Sequence, residues 1–152
     1  MKKCLCIIQV LVIILGIFTF SACGKEKTID AEAAFKALLN DVTYAKELTD
    51  VSANAPYWLS GMPDGAEIKM YRVAGGSYSD QLIMITAKSS NDVEAVKASV
   101  NAYLAGLKKQ AELYKPEEIQ KLEDAVIFDS GKNVFVCITE DTDTVNHIFE
   151  DQ

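Results

Sequence analysis

Four stretches of the chain carry apolar residues at spacings of three and four, the pattern of an amphipathic helix. The first follows Asp30, a residue suited to cap a helix, and the last lies near the C-terminus. The longest follows residues 89–92, and a shorter one restarts at Pro116. The apolar positions are Phe35, Leu38, Leu39 and Val42; Val93, Val96, Val100, Tyr103, Leu104, Leu107, Ala111 and Tyr114; Ile119 and Leu122; and Val145, Ile148 and Phe149.

Four other stretches predict strands. Residues 66–74 alternate, with Ile68 and Met70 on one face, and a glycine-rich turn separates them from residues 82–87. This second stretch is apolar on both faces, which is typical of a central strand covered on both sides. Residues 125–128 and 134–139 predict a hairpin.

The element order is therefore α-ββ-αα-ββ-α. The sequence contains no internal repeat, low-complexity tract or linker. Together these features predict a single α+β domain over residues 30–152, with an antiparallel or mixed sheet of about four strands packed by helices.

Residues 49–64 follow neither period and contain two prolines and a glycine, so they predict an irregular loop. Aromatic side chains on such a loop can stack on a sugar, a peptide or a cell-wall fragment, or they can close one end of the core as a lid. Because exposed apolar surface is costly, we expect the lid. The apolar residues of the loop are Tyr57, Trp58, Leu59 and Met62, of which Tyr57 and Trp58 are the candidate ligand contacts.

The first 22 residues are arranged as an export signal. Lys2 and Lys3 form a positive start, and residues 4–20 are almost unbroken apolar sequence. An uncleaved transmembrane helix is the alternative. It is disfavoured because this stretch would span roughly 26 Å, short of the usual ~20-residue requirement.

The end of this leader resembles the lipobox of bacterial lipoproteins, in which two small residues precede a cysteine. Ser21 and Ala22 precede Cys23, while Phe20 stands where the lipobox has an aliphatic residue. The Cys23 thiol would accept diacylglycerol, and a second acyl chain on the new N-terminus would make anchoring stable. The pattern predicts a signal peptide over residues 1–22 and a lipid-anchored tether over residues 23–29.

Charge restricts the possible partners. The formal net charge is −7, and it becomes −9 when the leader is removed with its two lysines. An acidic domain is a poor ligand for nucleic acid, which requires clustered lysine and arginine, and anionic lipid headgroups repel it. A membrane attachment must therefore be covalent.

Catalytic and metal-binding groups are few. His147, the only histidine, is expected on the surface of the last helix rather than in a catalytic triad. Cys137 alternates with Phe135 in an apolar strand, which predicts a buried and inert thiol that forms no disulfide. Asp141 and Asp143 are expected to cap the last helix rather than to bind calcium. No catalytic residue, metal or cofactor is predicted.

Four segments carry a resemblance to known proteins: residues 92–97, 114–119, 121–126 and 134–138. In these segments the chain is similar to a family of bacterial lipoproteins, the domain of unknown function 4358. The chain has Tyr103 where the family is expected to have an arginine, and Val134 where it often has an aromatic residue. No role of the family is therefore carried over to these two positions. The resemblance implies no known activity.

These observations favour a non-catalytic module, lipid-anchored at the outer face of a cell membrane, that binds an unknown envelope protein or cell-wall component. The alternative is a small envelope enzyme, such as a hydrolase with a carboxylate site. It requires a polar cleft in which titratable groups converge. A two-lobed solute receptor does not fit into the 130 residues left after cleavage.

The lipidation site can be tested directly. Replacement of the acceptor thiol in Cys23→Ser should abolish acyl labelling and leave the leader uncut or cut elsewhere by another peptidase. Metabolic labelling with a fatty acid, followed by gel analysis of the precursor, is the measurement. Acyl labelling at the wild-type level in the variant would exclude lipidation at Cys23.

Overall fold

The computed structural model describes residues 29–76 and 78–151. Five helices and five strands make up most of this part of the chain. The helices are α1 (Ala31–Asp41), α2 (Ala55–Trp58), α3 (Val93–Tyr114), α4 (Ile119–Glu123) and α5 (Thr142–Glu150). The strands are β1 (Leu48–Asp50), β2 (Glu67–Val73), β3 (Gln81–Thr86), β4 (Val126–Ser130) and β5 (Asn133–Ile138). Single turns of 3₁₀ helix cover Ser52–Asn54, Ala74–Gly76, Ser90–Asp92 and Pro116–Glu118.

All five strands belong to one antiparallel sheet, in the order β1-β2-β3-β5-β4. β3 lies at the centre, where its Gln81 pairs with Arg72 of β2 on one side and with Ile138 of β5 on the other. The two hairpins of the sequence are therefore joined side by side through β3 and β5.

Helices cover both faces of this sheet, which gives three layers. Successive side chains of a strand point to opposite faces. Ile83 and Ile85 of β3 therefore pack under α3 and α4, while Leu82 and Met84 pack under α1 and α5. Because both faces are covered, every residue of β3 from Gln81 to Ile85 is buried.

Side chains at the start of the main helices satisfy backbone N–H groups that have no partner within the helix. The Asp30 carboxylate accepts hydrogen bonds from the N–H groups of Glu32 and Ala33, both at 3.1 Å. Ser89 and Asp92 form a capping box ahead of α3. Asp141 caps α5, and Asp143 lies in its first turn.

The α+β class, the element order and the apolar faces are confirmed, with three corrections. β1 was missed because it has only three residues, of which Thr49 and Asp50 are exposed. Tyr114 was assigned to the buried face of α3 but is 78% exposed, because the helix has passed the edge of the core there. The loop at residues 49–64 contains the one-turn helix α2.

The predicted leader, together with Phe20, Ser21, Ala22 and the lipidation site Cys23, lies outside the described residues. Within residues 29–76 and 78–151, the structure has no helix that is both long and apolar enough to cross a bilayer.

Candidate functional site

The most deeply buried charges lie at the end of the sheet where β3 begins. The Lys121 ammonium of α4 is 2.7 Å from the Asp80 carboxylate and 3.1 Å from Glu118. All three side chains are more than nine-tenths buried. We call these three residues the buried ion cluster.

Backbone N–H groups complete the hydrogen bonding of the buried ion cluster. The Ala45 N–H donates to Asp80 at 2.9 Å, and the Ser79 N–H donates to Glu118 at 2.7 Å. Among the described residues, no buried side-chain nitrogen or oxygen lacks a partner. A buried charge tolerates removal from water only under such conditions.

The buried ion cluster is built to hold a charge rather than to react. Burial by itself would lower the pKa of Lys121, but hydrogen bonds to Asp80 and Glu118 raise that pKa above its ordinary value. Burial would likewise raise the pKa of Glu118, but the Ser79 N–H and Lys121 hold it low. A protonated lysine has no lone pair with which to attack a substrate. A cavity of 280 Å³ beside Lys121 therefore offers no nucleophile from this lysine.

The candidate groups of the sequence do not form a catalytic arrangement. Cys137 is fully buried as expected, and burial raises the pKa of its thiol. The His147 side chain is 73% exposed and lies 3.2 Å from Asp151. A buried thiol and an exposed imidazole cannot act as a nucleophile–base pair.

In the acidic stretch 140–143, the Asp141 side chain caps the start of α5. Its carboxylate accepts from the Thr43 N–H at 2.9 Å and from the Thr144 N–H at 3.4 Å, and the first of these bonds contributes most to the lowered pKa of Asp141. The described part of the chain contains no group of three or more histidine, cysteine or acidic residues placed to hold a metal.

The aromatic loop differs from the lid that the sequence predicted. Leu59 is 1% exposed and packs into the core, whereas Tyr57 is 85% exposed and Trp58 is 36% exposed. The expectation was wrong for the two aromatics because one turn of α2 buries Ala55 and Leu59 and leaves the residues between them outside. Tyr57 and Trp58 remain available for contact with a ligand.

Arg72 lies against Trp58. The centre of its guanidinium is 5.0 Å from the centroid of the indole ring, within the range of a cation–π contact. Arg72 projects from β2 on the face that carries α3, directly across from Gln81 of β3. Among the described residues, no acidic side chain lies within 4 Å of its guanidinium.

Tyr103 connects α3 to the same part of the sheet. Its hydroxyl donates to the Gln81 side-chain oxygen at 2.6 Å. Burial raises the pKa of Tyr103, and the nearby charge of Arg72 partly offsets that rise. Gln81 is 1% exposed, so this hydrogen bond fixes the floor beside Arg72.

Two cavities, of 230 and 370 Å³, meet along α3. They share Arg72, Leu107 and Gln110, so they lie side by side, and we call the two cavities together the Arg72 groove. Its Trp58 end is also lined by Tyr57, Trp58, Ser60, Ala102, Tyr103 and Gly106, and its other end by Gly76, Tyr78, Ser79, Gln81, Ala111, Tyr114 and Lys115.

Among the described residues, the lining of the Arg72 groove contains no acidic residue, although the chain has 22 of them. It contains Arg72, the only arginine, together with Lys115, whose ammonium contacts the Gly76 carbonyl. The groove is thus a locally positive, partly aromatic region on an acidic protein.

Sequence analysis found Tyr57 and Trp58 but missed the other residues of the groove. One signal was present, since Arg72 is two residues from Met70 and therefore falls on the apolar face of a predicted strand. Gly106 is a second signal, because glycine weakens the interior of a helix.

The buried ion cluster is expected to contribute strongly to stability. Lys121→Met leaves two buried carboxylates without their cation and should lower the free energy of unfolding by about 3–5 kcal/mol. Lys69→Met is the control, since it removes an exposed pair with Glu32 and should cost less than about 1 kcal/mol. Urea unfolding of both variants is the measurement, and equal losses would refute a structural role for the cluster.

The only tryptophan reports directly on the aromatic loop. Because Trp58 is partly exposed, iodide should quench its fluorescence in the native protein. Leu59→Ala should cost about 2–5 kcal/mol of unfolding free energy, and Trp58→Ala should cost less. If the native fluorescence resists iodide and Trp58→Ala costs more unfolding free energy than Leu59→Ala, the loop is a lid as the sequence predicted.

A comparison with protein families gives a match over residues 64–139, half of the chain, to the model described as domain of unknown function DUF4358. The match runs from the approach to β2 to the end of β5, so it includes Arg72, Tyr103 and the buried ion cluster but not Tyr57 or Trp58. No curated protein and no solved structure matches the chain. The chain belongs to the DUF4358 family.

Proposed function

We propose that this protein is a non-catalytic binding module, anchored by lipid on Cys23 at the outer face of a cell membrane, and that the Arg72 groove is its binding site. The anchor is supported by the order of charged, apolar and small residues that ends at Cys23. The binding site is supported by the described structure.

One observation carries the binding role. In the Arg72 groove an arginine without an acidic partner among the described residues lies beside a partly exposed tryptophan. Folding alone gains little from leaving an arginine unpaired or large aromatic surface in water. Arginine and aromatic residues are also the types most enriched where proteins bind partners.

The position of the groove suits a protein held close to a membrane. Ile29, the first described residue, donates its N–H to Ser130 at the end of β4. Arg72 lies at the opposite end of the strands and three strands away, because the order is β2-β3-β5-β4. The groove is therefore diagonally across the sheet from Ile29, the last residue of the predicted tether.

The alternative of a small envelope enzyme requires carboxylates that are free to transfer protons. The two best-placed carboxylates, Asp80 and Glu118, are buried and committed to Lys121 and to backbone N–H groups. This arrangement favours binding over hydrolysis.

Photo-crosslinking in intact membranes tests the proposal. A benzophenone amino acid at Gln110, which lines both cavities of the groove, should give an adduct of defined mass with one envelope component. The control is the same probe at Lys132, an exposed position in the β4–β5 turn, close to Ser130 and Ile29. Arg72→Met in the Gln110 probe protein should remove the adduct.

Two results would overturn the proposal. Equal crosslinking yields at Gln110 and Lys132 would show nonspecific contact with the surface. The absence of an adduct at Gln110 would show that no partner occupies the groove.

A further inference from the structure

The Arg72 groove has a chemical order along its length: aromatic surface, then a positive charge, then aromatic surface. Tyr57 and Trp58 lie at one end, Arg72 lies where the two cavities meet, and Tyr114 lies at the other end. We propose that the groove binds an extended peptide segment of a partner protein, with an acidic side chain on Arg72 and an apolar side chain on either side of it. This inference rests on the binding role proposed above.

The guanidinium of Arg72 is suited to bind a carboxylate. The guanidinium carbon lies 5.0 Å from the centroid of the Trp58 ring, and the planar fork of a guanidinium can donate two parallel hydrogen bonds. Carboxylate oxygens match that fork, and such charge-assisted pairs are stronger than neutral hydrogen bonds. No acidic residue among the described residues of the groove lining competes for this guanidinium.

Gly106 gives an independent indication that something approaches α3 at this point. It lies inside a 22-residue helix, where glycine costs roughly 1 kcal/mol relative to alanine. No neighbour requires it, because a Cβ at this position would meet nothing within 4 Å. The space left by its missing side chain belongs to the groove.

The length of the groove favours a short extended peptide. Its lining on α3 runs from Ala102 to Tyr114, which is roughly 18 Å at 1.5 Å per residue. An extended chain of about five residues covers the same distance. In such a chain the side chains of alternate residues point the same way, so a central acid and apolar residues two positions before and after it face the groove together.

Charge explains why the contact would be selective. The chain carries a net charge of −7, so an acidic peptide is repelled by the surface as a whole and attracted at Arg72 and Lys115. The apolar neighbours of the acid would cover Trp58 at one end and Tyr114 at the other, with Leu107 between them. A peptide that carries the acid without these apolar residues would make only the solvent-exposed ionic contact with Arg72, and it would therefore bind more weakly.

A pair of synthetic peptides tests the inference on the lipidated protein in detergent micelles. The probe is acetyl-Leu-Ala-Asp-Ala-Leu-amide, whose only charge is the central carboxylate, and the control peptide has Asn in place of Asp. The probe should change Trp58 fluorescence in a saturable way, and the control should bind at least about ten-fold more weakly, since its amide cannot form a charge-assisted pair of hydrogen bonds with Arg72.

Matched variants separate the contacts from the fold. Arg72→Met should remove the preference for the acidic peptide, while Lys69→Met removes a positive charge from the opposite face of the same strand and should leave it intact. Gly106→Leu should block both peptides without lowering the melting temperature, because leucine favours a helix. Ala105→Leu, at an exposed neighbour outside the groove lining, should bind normally.

The outcomes distinguish this inference from the binding role itself. Equal binding of both peptides, or binding of a glucuronic acid disaccharide in their place, would refute a peptide acid as the ligand. If neither peptide binds but the Gln110 crosslink persists, the ligand class is wrong and the binding role stands. If the crosslink is also absent, both proposals fail.

Discussion

The contact between Lys121 and the carboxylates of Asp80 and Glu118 determines how one end of the sheet is built. Asp80 immediately precedes β3, and its backbone carbonyl accepts from the Val73 N–H at the end of β2. Its carboxylate holds Ala45 of the α1–β1 connection, so one residue joins the layers on both sides of the sheet. Gln81 follows directly in the chain, so its pairing with Arg72 lies next to the same contact.

The central strands supply the rigid support that this arrangement needs. β3 and most of β5 are buried on both faces, and Ile83, Ile85 and Val136 fill one core while Leu82, Met84 and Phe135 fill the other. Close-packed cores transmit little displacement, since they have few voids into which side chains can move. Arg72 is thus positioned by backbone pairing to β3 and not by a flexible loop.

Strongly periodic parts of the chain were predictable, and parts whose role depends on packing between distant elements were not. α3 and β3 could be assigned because many residues repeat one pattern and local preference agrees with burial. Lys121 was not identified as buried, because three residues from Glu118 on a helix it resembles an ordinary surface ion pair. Trp58 was misplaced since composition gives the amount of apolar surface in a loop but not which side chains face the core. Arg72 acquires its significance only when α3 and Trp58 are set beside it.

The two ends of the Arg72 groove differ in how firmly they are held, and this difference follows from the same contacts. Tyr78 lines one end, and its ring centroid is 5.7 Å from the Lys121 ammonium, so that end is joined to the buried ion cluster. Trp58 lines the other end on a helix of a single turn that is anchored by Ala55 and Leu59. A site held by a rigid cluster loses little entropy when it binds, whereas a one-turn helix can adjust to the ligand. If the groove binds a peptide as proposed, Arg72 and the end joined to the cluster would select the ligand, and the aromatic end on the one-turn helix would cover it.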